Sequence, residues 1–290
     1  MLAGISRRIE PLLLKLGGRL PTCPWRSVFF YLNPRTVGVR PPPMRIEVVE
    51  EDGISKRLRF NGMHEVWFPA STNVNLELWN EYLSVFSTQV TNAHYYVTPE
   101  TPVKPGDVVI DCGACEGFFA QQALGLGAAR VICVEPNAEL VRCLEKTFAA
   151  EIRKGAVSVR PVALGAFRGE TCFGFDAAYP SSGQIGAGAN PRKVAIERLA
   201  DVCDELGLAT VDFIKMDLEG AEIQAVEGAL SLPLMKCHPK LAITTYHRAF
   251  DFVCLKSVLR SAGYRHFRAV GVAEFGQRRC YRPVMLHAWK

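Results

Sequence analysis

Short apolar runs separated by helix-like segments fill the sequence after residue 105. Five of these runs lie at residues 105–113, 129–136, 157–165, 211–217 and 240–247. They are apolar without regular alternation, which is typical of strands that helices cover on both faces of a parallel sheet. Strands that alternate with helices along the chain form a doubly wound sheet. The pattern therefore predicts an α/β fold with a mainly parallel sheet.

Residues 1–95 follow a different pattern. An Asp-Gly turn divides residues 44–61 into two alternating runs and predicts a β-hairpin, and residues 73–90 have the apolar spacing of a helix. We therefore expect an N-terminal extension of helices and a hairpin over residues 1–95, placed as a cap on one side of the main domain. Residues 96–290 form that domain, and within it the glycine- and serine-rich residues 166–195 predict a hairpin or a long loop.

Composition excludes several classes of protein. The net charge is +5, from 34 basic and 29 acidic residues, which is too small and too dispersed to predict a nucleic-acid partner. Ten cysteines at irregular spacing indicate free thiols in a reducing compartment, so we expect a cytoplasmic protein. The sequence contains no apolar run of about 18 residues, so no transmembrane segment is expected. A weak contact of residues 1–20 with a membrane surface stays open, and the oligomeric state is not predicted.

An acid and a loop of small residues follow the first apolar run. Asp111 is the acid, and Gly113 and Gly117 bracket the loop. In an open parallel sheet, ligands bind beyond the carboxyl ends of the strands. Small residues let a ligand approach the backbone there, and the next helix begins with free amide groups. The second run ends at Glu135, 18 residues after Gly117, where a carboxylate can bind both hydroxyls of a ribose. These residues predict a nucleoside site.

The loop sequence indicates which nucleoside binds. From Gly113 it reads G-A-C-E-G, which lacks the G-x-G-x-x-G pattern that binds the pyrophosphate of a dinucleotide. Glu116 would also place a negative charge near the phosphates. S-adenosylmethionine has a ribose, an amino-acid tail whose ammonium group Asp111 could attract, and no phosphate, so it suits Asp111 and Glu135 better than NAD does. The residues therefore indicate S-adenosylmethionine as the cofactor.

Four segments resemble, in their order along the chain, the motifs of the FkbM-like S-adenosylmethionine-dependent methyltransferases. They are VIDCGACEGFFA (109–120), VICVEPNAELVRCLEK (131–146), VDFIKMDLEGAEIQAVEGAL (211–230) and LAITTYHR (241–248). The resemblance covers roughly residues 100–250 and implies a Rossmann-like class I methyltransferase sheet of seven strands. It also implies O-methylation of a hydroxyl on a sugar or a natural product.

The resemblance also implies which residues hold the cofactor. They are Asp111, Gly113, Ala114 and Gly117 on the methionine side, Glu135, Pro136 and Asn137 at the ribose, Ala163 and Leu164 beside the adenine, and Asp217 near the reacting methyl group. Cys115 stands where an asparagine is common in the family, and it keeps the loop small.

Methyl transfer to a hydroxyl requires an oriented acceptor and a group that removes its proton. The candidate catalytic residues are His247, Asp217, Glu219 and Lys215. Structural interpretations stay open beside this one: Lys215 and Asp217 share a strand face and neutralise each other, and Glu222 serves the N-terminus of a helix. We predict no metal site, and Asp217, Glu219 and Glu222 remain an alternative set for magnesium. The other histidines are predicted to be structural: His64, His94, His238, His266 and His287.

Other functions stay open at this point. A nicotinamide-dependent oxidoreductase of similar fold is disfavoured because the G-x-G-x-x-G pattern is missing. A non-catalytic scaffold of methyltransferase ancestry is disfavoured because Asp111 and Glu135 are intact. Methylation of nucleic acid would call for an N-P-P-Y-type tetrapeptide or a basic domain, and the sequence has neither. We therefore expect a small-molecule or glycan acceptor and no nucleic-acid partner.

Overall fold

A computed structural model describes residues 2–20, 23–32, 43–87, 92–176, 179–186, 191–230, 238–275 and 280–290. The strands in these ranges are β1 (Ile46–Glu51), β2 (Ser55–Phe60), β3 (His64–Pro69), β4 (Val108–Cys112), β5 (Arg130–Val134), β6 (Val157–Arg160), β7 (Ala163–Leu164), β8 (Gly169–Asp176), β9 (Tyr179–Ile185), β10 (Arg192–Glu197), β11 (Phe213–Met216), β12 (Lys240–Thr244), β13 (His266–Phe275) and β14 (Cys280–Trp289). The helices are α1 (Leu2–Leu16), α2 (Trp25–Leu32), α3 (Leu76–Phe86), α4 (Phe118–Gly125), α5 (Ala138–Thr147), α6 (Ala149–Arg153), α7 (Leu199–Glu205), α8 (Glu222–Ala229) and α9 (Asp251–Ser261).

The central sheet has seven strands in the order β13-β14-β12-β11-β4-β5-β6. Neighbouring strands from β12 to β6 are parallel, and β14 lies antiparallel between β12 and β13. The chain builds the sheet outward from β4 on one side and then returns to build the other side from β11. This arrangement confirms the predicted doubly wound, Rossmann-like α/β sheet, and it places the reversal of strand order between β4 and β11.

Alternate residues of the parallel strands face two apolar cores. Val109, Val131 and Phe213 face one core, which they share with α3, α4 and the sheet of β1, β2 and β3. Ile110 and Ile214, one position further along their strands, face the second core under α7, α8 and α9. Because side chains alternate across a strand, both faces of the sheet are buried, and the strands read as unbroken apolar runs in the sequence.

The N-terminal extension contains the predicted hairpin and one strand more. β1 and β2 pair antiparallel around the Asp-Gly turn, as residues 44–61 predict, and β3 adds to β2. The inward side chains of β2 and β3 pack on the main domain, and the ring centroids of Phe60 and Phe118 lie 4.9 Å apart. α3 is the helix predicted over residues 73–90, of which residues 88–90 lie outside the described residues. The extension thus shares one core with the main sheet.

The predicted strand over residues 157–165 is wrong in one respect. β6 ends before Pro161, and the residues after it form β7, which pairs with β10 in a separate four-stranded sheet of order β7-β10-β8-β9. Proline has no N–H to donate, so the chain leaves the ladder at that point. The predicted hairpin within residues 166–195 is present as β8 and β9.

α1 and α2 pack near the end of the central sheet, where Leu20, Cys23 and Val28 share a small core with Val272 and Tyr281. No helix in the described ranges combines the length and the apolar content that a membrane crossing requires.

Candidate functional site

The candidate site is a cavity of about 450 Å³ at the carboxyl ends of β4, β5 and β11. Its position follows from the topology, because the strand order reverses between β4 and β11. The lining residues come from the loops after these strands, from one edge of α3 and from the hairpin of β8 and β9. The volume lies within the range of about 300–1,000 Å³ that is usual for small-molecule sites.

The loop after β4 presents its backbone to this cavity. Gly113 has a φ of 75°, and a Cβ atom there would overlap the carbonyl oxygen of Asp217. Only glycine tolerates both conditions, so Gly113 lets the loops after β4 and β11 touch. The N–H groups of Gly113 and Ala114 donate to the Val134 carbonyl at 3.0 and 3.1 Å. The protein itself therefore fixes the loop against β5.

Glu135 presents a buried carboxylate to the middle of the cavity wall. Its Oε2 accepts a hydrogen bond from the Cys115 N–H at 3.0 Å, and its Oε1 accepts one from the Asn137 N–H at 2.9 Å. Burial raises the pKa of Glu135 to about 7, although both N–H groups work against this rise. Each carboxylate oxygen has a second lone pair for a ligand. Glu135 is therefore oriented to accept hydrogen bonds from two hydroxyls.

The cavity becomes apolar beyond Glu135. Val162, Ala163 and Leu164 line it there, at the point where the chain passes from β6 to β7. Phe173 and Ile185, on β8 and β9, also line the cavity, and their sheet contains β7. An apolar wall of this kind suits the flat ring of a base.

Asp111 and Lys215 form a buried ion pair beneath the cavity. The two residues are in register on the neighbouring strands β4 and β11, and Lys215 Nζ lies 3.0 Å from Asp111 Oδ1. The same ammonium donates to the Gly113 carbonyl at 2.6 Å. Burial opposes the charge on Lys215, but Asp111 and Asp217 outweigh burial and raise the pKa of Lys215. The main partner of Lys215 is thus Asp111. Asp217, which the sequence suggested because it shares a strand face with Lys215, is not the main partner.

Asp217 follows β11 and lines the other end of the cavity. The Tyr96 hydroxyl donates to Asp217 Oδ2 at 2.8 Å, and the Thr244 hydroxyl donates to Oδ1 at 3.0 Å. Burial alone would raise the pKa of Asp217, but the charges of Lys215 and His247 and the Tyr96 hydroxyl lower it below its ordinary value. Asp217 is therefore an oriented carboxylate at neutral pH.

His247 lies behind Asp217 among three carboxylates. Its Nδ1 is 2.8 Å from Glu222 Oε1, and its Nε2 is 3.6 Å from Asp217 Oδ1 and 3.5 Å from Glu219 Oε1. Burial would lower the pKa of His247, but the neighbouring carboxylates of Glu219, Glu222 and Asp217 raise it to about 11. Glu222 also accepts from the Leu218 N–H at 2.9 Å, so it serves both the start of α8 and the imidazole.

The cavity wall contains nine of the thirteen residues that the sequence predicts for the site. They are Gly113, Ala114, Glu135, Pro136, Ala163, Leu164, Lys215, Asp217 and Glu219. The other four lie behind this wall. Asp111 and His247 reach it only through Lys215 and Asp217, Gly117 gives the close approach to Phe148, and Asn137 caps α5.

Several residues of the wall are not among the predicted catalytic or cofactor-binding residues. Tyr96 and His94 precede the main domain's first strand, and both line the cavity. Burial lowers the pKa of His94 and favours its neutral form, and its ring lies 5.3 Å from that of Tyr246. His94 was predicted to be structural, and the structure shows that it also lines the cavity. Glu77 and Glu81 line the cavity from α3. These two had a usable signal in the sequence, because they lie on the polar face opposite the apolar stripe of a predicted helix.

Asn137→Ala is expected to lower the free energy of unfolding by about 1 kcal/mol, because it removes an N-terminal helix cap. Asn137 Oδ1 accepts the Glu139 N–H at 3.0 Å, and the side chain makes no contribution to the cavity wall. Urea denaturation measures the loss. Asn137→Ser retains a capping oxygen and is the control, and equal losses in both variants would contradict the capping role.

Along its length, the cavity offers an apolar end, a central carboxylate, a bare backbone loop above a buried ammonium, and an acidic end. This order of surfaces matches a base, a ribose, an amino-acid tail and a positively charged reacting centre. The arrangement of Glu135 and the Gly113 loop therefore fits S-adenosylmethionine, and Gly113 keeps this loop against the one after β11, because a Cβ there would overlap the Asp217 carbonyl oxygen.

Comparisons with known proteins give one family match and several similar solved structures. The family model described as the methyltransferase FkbM domain matches residues 111–266. Similar solved structures include the methyltransferase FkbM from Methylobacillus flagellatus KT, with 20% identity and a TM-score of 0.49 over 74% of this chain and 50% of that chain. M. jannaschii TYW2 in complex with AdoMet is 11% identical, with a TM-score of 0.43 over 83% of this chain and 88% of that chain. The M. jannaschii tRNA m1G37 methyltransferase is 13% identical, with a TM-score of 0.43 over 83% and 56%. The chain thus spans half the length of the FkbM structure, and no curated protein matches its sequence.

Proposed function

Because the chain belongs to the family of methyltransferase FkbM domains, we propose that it is an S-adenosylmethionine-dependent O-methyltransferase acting on a sugar or another polar metabolite. The observation that carries the proposal is the buried carboxylate of Glu135. Two backbone N–H groups orient it towards the cavity, and a carboxylate at this strand end accepts hydrogen bonds from both hydroxyls of a ribose. Burial raises the pKa of Glu135 and so disfavours its charged form in the free protein. We therefore infer that the ionised carboxylate serves to bind the hydroxyl groups of a ligand.

The remaining surfaces of the wall complete the cofactor site. Ala163 and Leu164 would contact the adenine, and the backbone of Gly113 and Ala114 would lie beside the methionine tail. That tail carries one carboxylate and one ammonium, for which Lys215 and Glu116 are the oppositely charged groups of the wall. When bound, S-adenosylmethionine would supply a methyl group on a positively charged sulfur.

The acidic end of the cavity is the proposed acceptor site. Asp217 and Glu219 line it together with Glu81 of α3. Carboxylates accept hydrogen bonds from hydroxyl groups, so this wall suits a sugar or a similar polyol. The same charges repel phosphodiesters, because binding to a nucleic acid depends chiefly on cationic contacts to phosphate. These residues therefore support a small polar or glycan acceptor over RNA.

Methyl transfer is a displacement at the methyl carbon. A bond would form from the acceptor oxygen to that carbon while the carbon–sulfur bond breaks, and the hydroxyl proton would pass to a carboxylate of the wall. The carboxylates that face the cavity at this end would receive this proton, namely Asp217, Glu219 or Glu81. His247, held protonated by its carboxylate neighbours, would orient them from behind. Lys215 would neutralise Asp111 and hold the Gly113 loop.

The cysteines support a reducing compartment. Eight cysteines among the described residues are free thiols, and a secreted protein with so many would ordinarily pair them. We therefore propose a cytoplasmic location. Exposed apolar residues of α1, Leu13 and Leu16, support a weak contact with a membrane surface.

Calorimetric titration with S-adenosylhomocysteine and with NAD tests the cofactor assignment. We expect one molecule of S-adenosylhomocysteine to bind per chain and NAD not to bind, because the loop from Gly113 to Gly117 lacks a pyrophosphate site. Binding of NAD alone would identify an oxidoreductase and end the proposal.

Transfer of labelled methyl groups to a panel of sugars, with RNA as the competing acceptor, tests the reaction. We expect label on a sugar oxygen and none on RNA. Tight binding of S-adenosylhomocysteine with no transfer to any class of acceptor would indicate a non-catalytic scaffold.

A further inference from the structure

We propose that Asp217, Glu219 and His247 bind a divalent transition-metal ion at the acceptor end of the cavity. The three residues come from the loops after β11 and β12, and one ligand atom from each lies within 4.8 Å of the others. Asp217 and Glu219 both line the cavity, so an ion between them would face the acceptor. The site includes a histidine from a second strand, which the alternative magnesium set of Asp217, Glu219 and Glu222 lacks.

The distances within this cluster fit ligands that share an ion. His247 Nε2 is 3.6 Å from Asp217 Oδ1 and 3.5 Å from Glu219 Oε1. Charged hydrogen bonds between nitrogen and carboxylate are shorter, at about 2.7–2.9 Å. Ligands placed about 2.0–2.2 Å from one metal ion lie about 3–4 Å from each other. The spacing around Nε2 is therefore too long for ion-pair hydrogen bonds and suitable for shared coordination.

The imidazole of His247 is buried and aimed into the cluster. Its side chain is only 8% exposed, and its Nε2 has no hydrogen-bond partner among the described residues. The Nδ1–H donates to Glu222 Oε1 at 2.8 Å, since a carboxylate can only accept. Metal-binding histidines commonly donate their other N–H to a carboxylate in this way. Glu222 thus directs Nε2 towards Asp217 and Glu219, where a bound ion would take the place of the Nε2 proton.

The carboxylate ligands are also oriented by their neighbours. The Tyr96 hydroxyl holds Asp217 Oδ2 at 2.8 Å, which turns Oδ1 towards His247. Glu219 has a left-handed backbone, with a φ of 52°, and this strained conformation places its side chain beside the imidazole. Strain of this kind is found where a structure holds a functional group in position.

Charge balance in the cluster favours a cation. Asp217, Glu219 and Glu222 place three carboxylates around one imidazole, while the nearby cations are bound elsewhere, Lys215 to Asp111 and Arg282 to the carbonyls of Tyr246 and His247. A divalent ion would offset this excess. One imidazole and two carboxylates suit Mn²⁺, Fe²⁺ or Zn²⁺ better than Mg²⁺, which prefers oxygen ligands.

The role of the ion rests on the proposed function. An acceptor hydroxyl bound to a divalent ion loses its proton more readily, because the ion lowers the pKa of bound oxygen. Asp217 and Glu219 would hold the ion, and the acceptor oxygen would occupy its open position on the cavity side. The site would then both orient the acceptor and assist its deprotonation, and with Asp217 and Glu219 holding the ion the proton would pass to Glu81, the remaining carboxylate at this end of the cavity.

Titration of chelator-treated full-length protein with Mn²⁺, followed by electron paramagnetic resonance without any cofactor, tests the site. We expect one tightly bound ion per chain and a loss of affinity of about 100-fold or more in Asp217→Asn and His247→Gln, since even residues behind the ligands contribute about 10–100-fold. Glu222→Gln, a positioning change, is expected to cost about 10–100-fold. Glu227→Gln and His266→Ala alter exposed residues outside the cluster and are the matched controls.

Absence of Mn²⁺ binding, or equal affinity in the ligand variants and the controls, would overturn the proposal. Circular dichroism of each variant separates loss of ligands from loss of the fold. A protein that binds Mn²⁺ but not S-adenosylhomocysteine would retain the metal site and reject the proposed methyltransferase. If methyl transfer is unchanged by chelation, the ion has no catalytic role, although the metal-binding site itself would still stand.

Discussion

Lys215→Met is expected to lower the free energy of unfolding by about 3–5 kcal/mol at neutral pH, because it leaves a buried carboxylate without its partner. Asp111 is fully buried, and its Oδ1 lies 3.0 Å from Lys215 Nζ. The hydrogen bond to the Gly113 carbonyl is lost as well. Methionine keeps most of the length of the lysine side chain, so packing changes little. Urea denaturation followed by fluorescence measures the difference.

Two variants control this experiment. Lys154→Met removes an exposed lysine and should change stability by no more than about 0.5 kcal/mol. Asp111→Leu combined with Lys215→Met removes both charges, and we expect the pair to be more stable than Lys215→Met alone, because no unpaired charge remains. A loss below about 1 kcal/mol in Lys215→Met would contradict the importance of this ion pair.

The stability of Lys215→Met should also depend on pH in a defined direction. Burial raises the pKa of Asp111, and Lys215 normally works against this rise. Without Lys215, the folded protein binds a proton on Asp111 more strongly than the unfolded chain does, so stability falls as pH rises through the folded pKa. The deficit relative to the wild-type protein is therefore expected to shrink in acid. A deficit that is independent of pH would argue against an unpaired Asp111 as its cause.

Glu135→Ala is expected to weaken the binding of S-adenosylhomocysteine by about 100-fold or more. The carboxylate is proposed to accept two hydrogen bonds from the ribose, and bonds to a charged group contribute about 1.5 kcal/mol or more each. Every 1.4 kcal/mol is about tenfold in affinity. Calorimetric titration measures the change. Glu145→Ala, an exposed glutamate on α5, is the control and should bind as the wild-type protein does.

The pH dependence separates ligand binding from folding at Glu135. Its folded pKa of about 7 lies above the ordinary value of 4.5, so its ionisation lowers stability as pH rises across that interval. Glu135→Gln should therefore gain stability relative to the wild-type protein over the same interval while it loses affinity. Cofactor affinity of the wild-type protein should fall as pH drops below about 7. Parallel losses of stability and affinity in Glu135→Gln would indicate a structural role instead.

The sheet and the cofactor end of the site could be predicted from the sequence because their signals are local. Apolar runs are continuous when both faces of a strand are buried, and this pattern located β4, β5, β11 and β12. An acid or a glycine directly after such a run must lie at the carboxyl edge of the sheet. Gly113, Glu135 and Asp217 were found in this way, and all three line the cavity.

The partners of each side chain were decided by the tertiary structure. Lys215 meets Asp111 across 104 residues of chain because β4 and β11 are adjacent and in register, and no spacing in the sequence expresses that register. Tyr96 and His94 enter the wall from a segment without a strand or helix, so periodicity gives no signal for them. His247 meets Glu222 and Glu219 only because β11 and β12 are neighbours. Local patterns thus fix which residues reach the sheet edge, while strand order and register determine which charges meet there.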